Sequence, residues 1–194
     1  MNKPLLAGSA LAIAAVLAAT SLQVWSTTST DAGAAEAREI ITAFTTSLQG
    51  ELKGALKEGG PVAAVTMCKD KAPAIAEDLS EEHGWDVGRT SLKPRNPANA
   101  PDAWEEQVLE QFASRQQNGE SPMGMTYASV EETADGKVYR FMQAIPTAEV
   151  CLACHGTDIA EPIAAALDKA YPEDQARGYS AGEIRGAFTL SKPM

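Results

Sequence analysis

"MTYASVEETADGKVYRFMQAIP", residues 125–146, is the stretch that decides the fold. Asp135-Gly136 at its centre is a tight-turn pair, because a two-residue hairpin turn needs positive φ and glycine takes that conformation without steric cost. Both arms are rich in β-branched and aromatic residues, so the stretch predicts an antiparallel hairpin. On the second arm Val138, Arg140, Met142 and Ala144 face one way, and Tyr139, Phe141, Gln143 and Ile145 the other. Pro146 ends it, having no amide proton for a ladder.

Upstream the periodicity is helical. Ile40, Phe44, Leu48, Leu52 and Leu56 recur every four residues between Ala35 and Lys57, and Gly59-Gly60 ends that helix. Pro61 suits the first position of a second helix, on which Val65, Cys68, Ala72, Ile75 and Leu79 form the inward stripe and His83-Gly84 the last turn and cap. Pro73 lies inside that pattern and predicts a kink, since its ring crowds the carbonyl of Lys69. Residues 89–101, "RTSLKPRNPANAP", predict an irregular loop that can wall a pocket. Asp102 to Gln117 reads as helix with Trp104, Val108 and Phe112 inward.

After the hairpin, Ile159, Ile163 and Leu167 mark a helix, Tyr171-Pro172 breaks it, and residues 184–190, "IRGAFTL", form a last strand. Helices and strands are mixed without regular βαβ alternation. The expected class is therefore α+β, a small antiparallel sheet flanked by helices, with a long helix at the N-terminus.

The first four residues carry one positive charge, and an uncharged, Ala/Leu-rich run follows as far as Asp31. This pattern reads as an export signal, so residues 1–34 are expected to be a signal peptide and residues 35–194 the mature domain, in the periplasm. Leu5 to Val24 would equally form a helix of about 30 Å, enough to cross a bilayer as an uncleaved anchor. The remaining ~160 residues suffice for one domain with its own core. The formal charge of −10 argues against nucleic acid as a partner and suits a basic protein.

"CLACHG", residues 151–156, gathers two of the three cysteines and one of the two histidines of the chain. Random placement would produce Cys-x-x-Cys-His in roughly 3 of 10,000 sequences of this composition. The spacing is that of covalent c-type haem attachment: Cys151 and Cys154 supply thioethers to the two vinyl groups and His155 the proximal imidazole. A thioredoxin-type pair would open a helix after a βαβ strand, whereas this one follows a hairpin arm. A structural zinc would need four donors, and outside the motif only Cys68 and His83 are natural ones.

An iron with one imidazole has an opposite coordination position. From the residues alone its occupant is open between Cys68, Met67, His83, Met123, Met125 and Met142, or water or a small molecule. A free cysteine is also commonly a small buried hydrophobe. Arg89, Lys93 and Arg95 could pair with the haem propionates or be ordinary surface cations, and Arg140 and Arg185 are equally ambiguous.

Three segments, "RTSLKPRNPANAPDAWE", "CLACHG" and "YPEDQARGYSAGEIRGAF", together resemble a bacterial family of exported single-haem c-type proteins of unknown function whose fold is similar to PAS-type sensor domains. The likeness runs from about Ala35 to Lys192. It implies haem cysteines at Cys151 and Cys154, a proximal ligand at His155, and an unusual distal ligand at Cys68 in "MCKDKAP". A thiolate stabilises ferric iron, so such a pair implies a lower potential than His/Met ligation.

The functional expectation is one covalent haem c per chain, electron transfer with a redox partner protein, and no enzymatic activity, since a distal cysteine closes the side where peroxidase chemistry would occur. The alternative is a redox or gas sensor that works by exchange of the cysteine ligand. Likeness of fold to PAS domains is only an associational argument for sensing.

Overall fold

The computed structural model describes residues 23–194. The predicted signal or anchor falls largely on residues 1–22, outside them. Among the described residues no helix is long and apolar enough to cross a membrane.

Helix α1 runs Gln23–His83 with one break in its dihedrals, at Gly60 (φ 69°, ψ −166°). That backbone conformation is essentially open only to glycine, which is why the chain breaks here. Had α1 stayed straight, the 35 residues between Phe44 and Leu79 would hold them about 50 Å apart. Both lie in one apolar cluster with Ile40, Trp85 and Phe141, so the halves fold back on each other. The expected kink at Pro73 does not break the helix: the chain reverses instead at Gly60, well upstream, and Pro73 keeps helical dihedrals.

The sheet is wholly antiparallel, in the order β1-β4-β3-β2, with β1 at Asp86–Thr90, β2 at Thr126–Thr133, β3 at Gly136–Pro146 and β4 at Ile184–Pro193. The predicted hairpin is present, with Thr133 opposite Gly136 and Tyr127 opposite Met142. Strand β4 inserts between β3 and β1, pairing Phe141 with Leu190 and Arg89 with Phe188. Strand β1 takes Arg89 and Thr90 from the segment expected to be loop; the irregular part begins at Ser91 and contains a short 3-10 turn, Pro97–Asn99. A register shift between Ala144 and Pro146 ends regular pairing just before the CLACHG motif.

The alternation read on β3 separates two cores. Tyr139 and Phe141 face α1 with Ile40, Ile41 and Phe44. Met142 and Ala144 face α2 (Ala103–Gln117) with Val108, Leu109 and Phe112. Each large side chain so buried contributes about 1.5–3 kcal/mol. Asp102 caps α2: its carboxylate accepts from Glu105 N at 2.8 Å, and Glu105 Oε2 accepts from Asp102 N at 3.0 Å, a reciprocal box. Glu105 Oε1 also accepts from Thr189 Oγ1 at 2.7 Å, fastening α2 to β4. The result is the expected α+β class, a four-stranded antiparallel sheet behind a long N-terminal helix, consistent with a PAS-like fold.

Candidate cofactor pocket

A cavity of about 440 Å³ opens where the second half of α1, the segment after β1, the CLACHG motif and the start of β4 meet. Cofactor sites fall in the range of roughly 300–1,000 Å³. Cys68, Cys151, Cys154 and His155 all line it, although 83 residues separate Cys68 from Cys151. Leu48, Leu52 and Leu56 form an apolar wall, so the four-residue repeat of the first half of α1 serves the core at its start and the cavity at its end.

The motif sits on two short turns, a 3-10 turn at Glu149–Cys151 and helix α3 at Leu152–His155. Helix α4, Glu161–Ala170, follows; Ile159 precedes it yet packs with Ile163 and Leu167 against Val65 and Cys154. The strap 171–180 then returns along the motif. Tyr179 N donates to His155 O and Gly178 N to Gly156 O, each at 3.0 Å. His155 Nδ1 lies 2.8 Å from Ala176 O. A carbonyl can only accept, so Nδ1 carries the proton and Nε2 keeps its lone pair for a metal. Burial, with Arg185 and Arg95 nearby, pushes the imidazole pKa down to about 3, which keeps the ring neutral and ligand-competent.

Asp174 anchors the strap. Its carboxylate accepts from Arg95 Nε at 3.0 Å, Arg177 Nε at 2.8 Å and Ala176 N at 2.9 Å. Burial alone would raise its pKa, but the donors Arg177, Arg95 and Ala176 N outweigh it and hold the carboxyl below its usual range. Arg95 continues the chain of contacts, its Nη2 donating to Cys154 O at 2.5 Å and Ala176 O at 3.1 Å. One guanidinium thus ties the loop after β1 to both the motif and the strap.

Of the six protein donors considered for the position opposite His155, only Cys68 lines the cavity. Met67, one residue away, turns to a shallow groove beside Gly50 and Gly54. Met125 and Met142 are buried against α2 on the other face of the sheet, and Met123 is 74% exposed. His83 closes α1 and acts electrostatically on Glu36, away from the cavity. Burial raises the Cys68 thiol pKa, and Arg89 is the largest opposing influence. Among the described residues no three His, Cys, Asp or Glu side chains gather as a cage for a bare ion.

Among the candidate cations, Arg89, Lys93, Arg95 and Arg185 line the cavity. Arg140 does not: it pairs with Asp102 at 2.8 Å and Glu105 at 3.4 Å and stacks over Trp104 at 4.1 Å, on the α2 side. Gly186 beside Arg185 has φ +155°, and a Cβ there would stand 2.5 Å from Thr90 O, so only glycine lets β4 close on β1 at the cavity edge. Tyr171, Asp174 and Ala176 were not foreseen as site residues. The Tyr-Pro break was visible in the sequence, but a carbonyl that orients a histidine leaves no trace in residue type.

The donor set fits a tetrapyrrole: an imidazole with a free Nε2, a thiol from a different element, two further thiols at thioether spacing, apolar walls and half-buried arginines. No curated protein matches the chain. A solved structure described as the crystal structure of the cyanobacterial heme-protein Tll0287 is similar at 26% identity and a TM-score of 0.60, over 82% of this chain and 95% of that one. The Tll0287-like family model matches residues 7–193. The chain belongs to the Tll0287-like family.

Proposed function

We propose that this chain is an exported single-haem c-type protein that transfers electrons. Cys151 and Cys154 hold the porphyrin covalently, His155 Nε2 is the proximal ligand and Cys68 the distal one. The observation that carries the reading is that Cys68, alone among the distant donors weighed, shares a cavity with the Cys-x-x-Cys-His motif. The haem-protein relative supports the cofactor. Bound haem supplies a one-electron couple at iron; the residues around it set its ligands and its dielectric.

The chain's own parts have distinct tasks. The Ala176 carbonyl fixes the His155 tautomer, the Arg95–Asp174 pair holds motif and strap together, and Leu48, Leu52 and Leu56 exclude water. The acidic surface directs docking toward a basic redox partner in the periplasm, and nucleic acid is not a partner. The proposal includes no enzymatic turnover.

A second reading, a redox or diatomic-gas sensor, draws on the raised pKa of the Cys68 thiol. Were bound iron reduced by a partner protein, Cys68 would be the ligand most readily protonated by solvent and released. Met67 is turned away from the cavity, so water or a gas would be the replacement.

The test is expression in a host with c-type maturation, followed by acidified-acetone extraction. Pigment that stays with the polypeptide supports covalent haem, and its loss from a Cys151→Ser, Cys154→Ser double variant assigns the tether. Ferrous spectra with and without carbon monoxide separate the two functions: a gas-insensitive six-coordinate haem favours electron transfer, and ready carbon monoxide binding favours sensing.

A further inference from the structure

Two of the four cations at the cavity have work already. Arg95 is spent on Asp174, Cys154 O and Ala176 O. Lys93 Nζ donates to Arg177 O at 2.6 Å and lies 4.6 Å from the Tyr179 ring centroid. The other two do not. Arg89 rests over the Phe44 ring at 5.3 Å, and among the described residues it has no carboxylate partner. Arg185 has a buried Nε without a hydrogen-bond partner, and it too has no ion pair among the described residues.

Two half-buried like charges at one cavity, with no acidic side chain paired to either among the described residues, are costly, and cations are kept in such places when something anionic compensates them. The chain has 26 acidic residues, yet among the described residues no Asp or Glu lines the cavity. Burial, then the charge of Arg185, brings the Arg89 guanidinium down to about 10, a sign that the two act on each other.

We propose that Arg89 and Arg185 form an anion subsite for the two haem propionates. Two guanidiniums match two carboxylates in charge, and each can bind one bidentately. The inference rests on the haem reading and adds to it which side of the cavity the propionates occupy: the β1–β4 edge, rather than the Lys93 side. It also makes Arg89 and Arg185 positioning residues for the ring, with a positive charge that favours ferrous iron.

The experiment uses haem-loaded wild type and the variants Arg89→Gln, Arg185→Gln, Arg89→Lys and Arg185→Lys, with resonance Raman propionate bending bands and midpoint potentials as readouts. Expected are shifted bending bands and a lowered potential in each Gln variant, with the potential recovered by Lys and the bands only partly so. Unchanged bands in both Gln variants overturn the assignment, as does a fall in potential that Lys does not reverse. If the Gln variants yield no haem-loaded protein, a crystal structure of the wild-type holoprotein decides. Propionate oxygens at hydrogen-bond distance from both guanidiniums support the subsite, and propionates turned to Lys93 or to solvent refute it. A wild type that carries no haem overturns the underlying haem reading, an outcome distinct from haem present with unshifted bands.

Discussion

Replacing Asp174 with alanine removes the carboxylate on which the strap and the loop after β1 converge. Its side chain is 2% exposed and that of Arg95 is 14% exposed, so the pair is buried and its loss leaves Arg95 without a counter-charge. Breaking such a pair costs about 3–5 kcal/mol. Arg177, 32% exposed, is rehydrated and adds little. Arg95 keeps its bonds to Cys154 O and Ala176 O, which places the loss near the lower end, about 3 kcal/mol. For a domain of this size each kcal/mol moves the melting temperature by about 2–4 °C, so Asp174→Ala should melt about 6–12 °C below wild type at neutral pH. The assay is thermal denaturation followed by circular dichroism on protein purified in the same state. The folded carboxyl lies below its unfolded pKa, so its contribution is present above the unfolded value and is lost as pH falls through the folded one. The gap between wild type and variant should therefore narrow below about pH 4. A gap under about 2 °C at neutral pH, or one that does not change on acidification, refutes the reasoning.

Two further outcomes follow from the same geometry. Gly60→Ala should destabilise by about 1–3 kcal/mol through backbone strain alone, since nothing lies within 4 Å of the added Cβ; equal denaturant midpoints for variant and wild type would contradict it. Met67→Ala should leave both ferric and ferrous absorption spectra unchanged, because Met67 faces the groove by Gly50 and not the cavity; altered ferrous bands would show it reaching the iron.

Much of the fold was legible where local chemistry and global packing agree. The Asp135-Gly136 turn, the four-residue stripe of α1 and the inward Trp104, Val108 and Phe112 of α2 each name their element by residue type. Strand β1 was missed because "DVGRT" has a single strong apolar residue, Val87, and owes its pairing to β4, a hundred residues downstream. The motif residues Cys151, Cys154 and His155 were legible through spacing. Cys68 was legible as one candidate among several from the residues, and as a distal ligand only through the family resemblance; its place in the cavity depends on the reversal at Gly60, which brings the second half of α1 beside the motif. The cations were the least legible group. Nothing in composition separates Arg95, bound to Asp174, from Arg89 and Arg185, which form no ion pair among the described residues, or from Arg140 on the opposite face.

The most direct test of the central claim is the low-temperature ferric spectrum, by electron paramagnetic resonance and absorption, of haem-loaded wild type beside Cys68→Ala. Iron held between the His155 imidazole and the Cys68 sulfur should give wild type a low-spin thiolate signature, and Cys68→Ala should keep its covalent haem, lose that signature and rise in midpoint potential. Superimposable spectra and equal potentials for the two proteins would contradict sulfur ligation by Cys68.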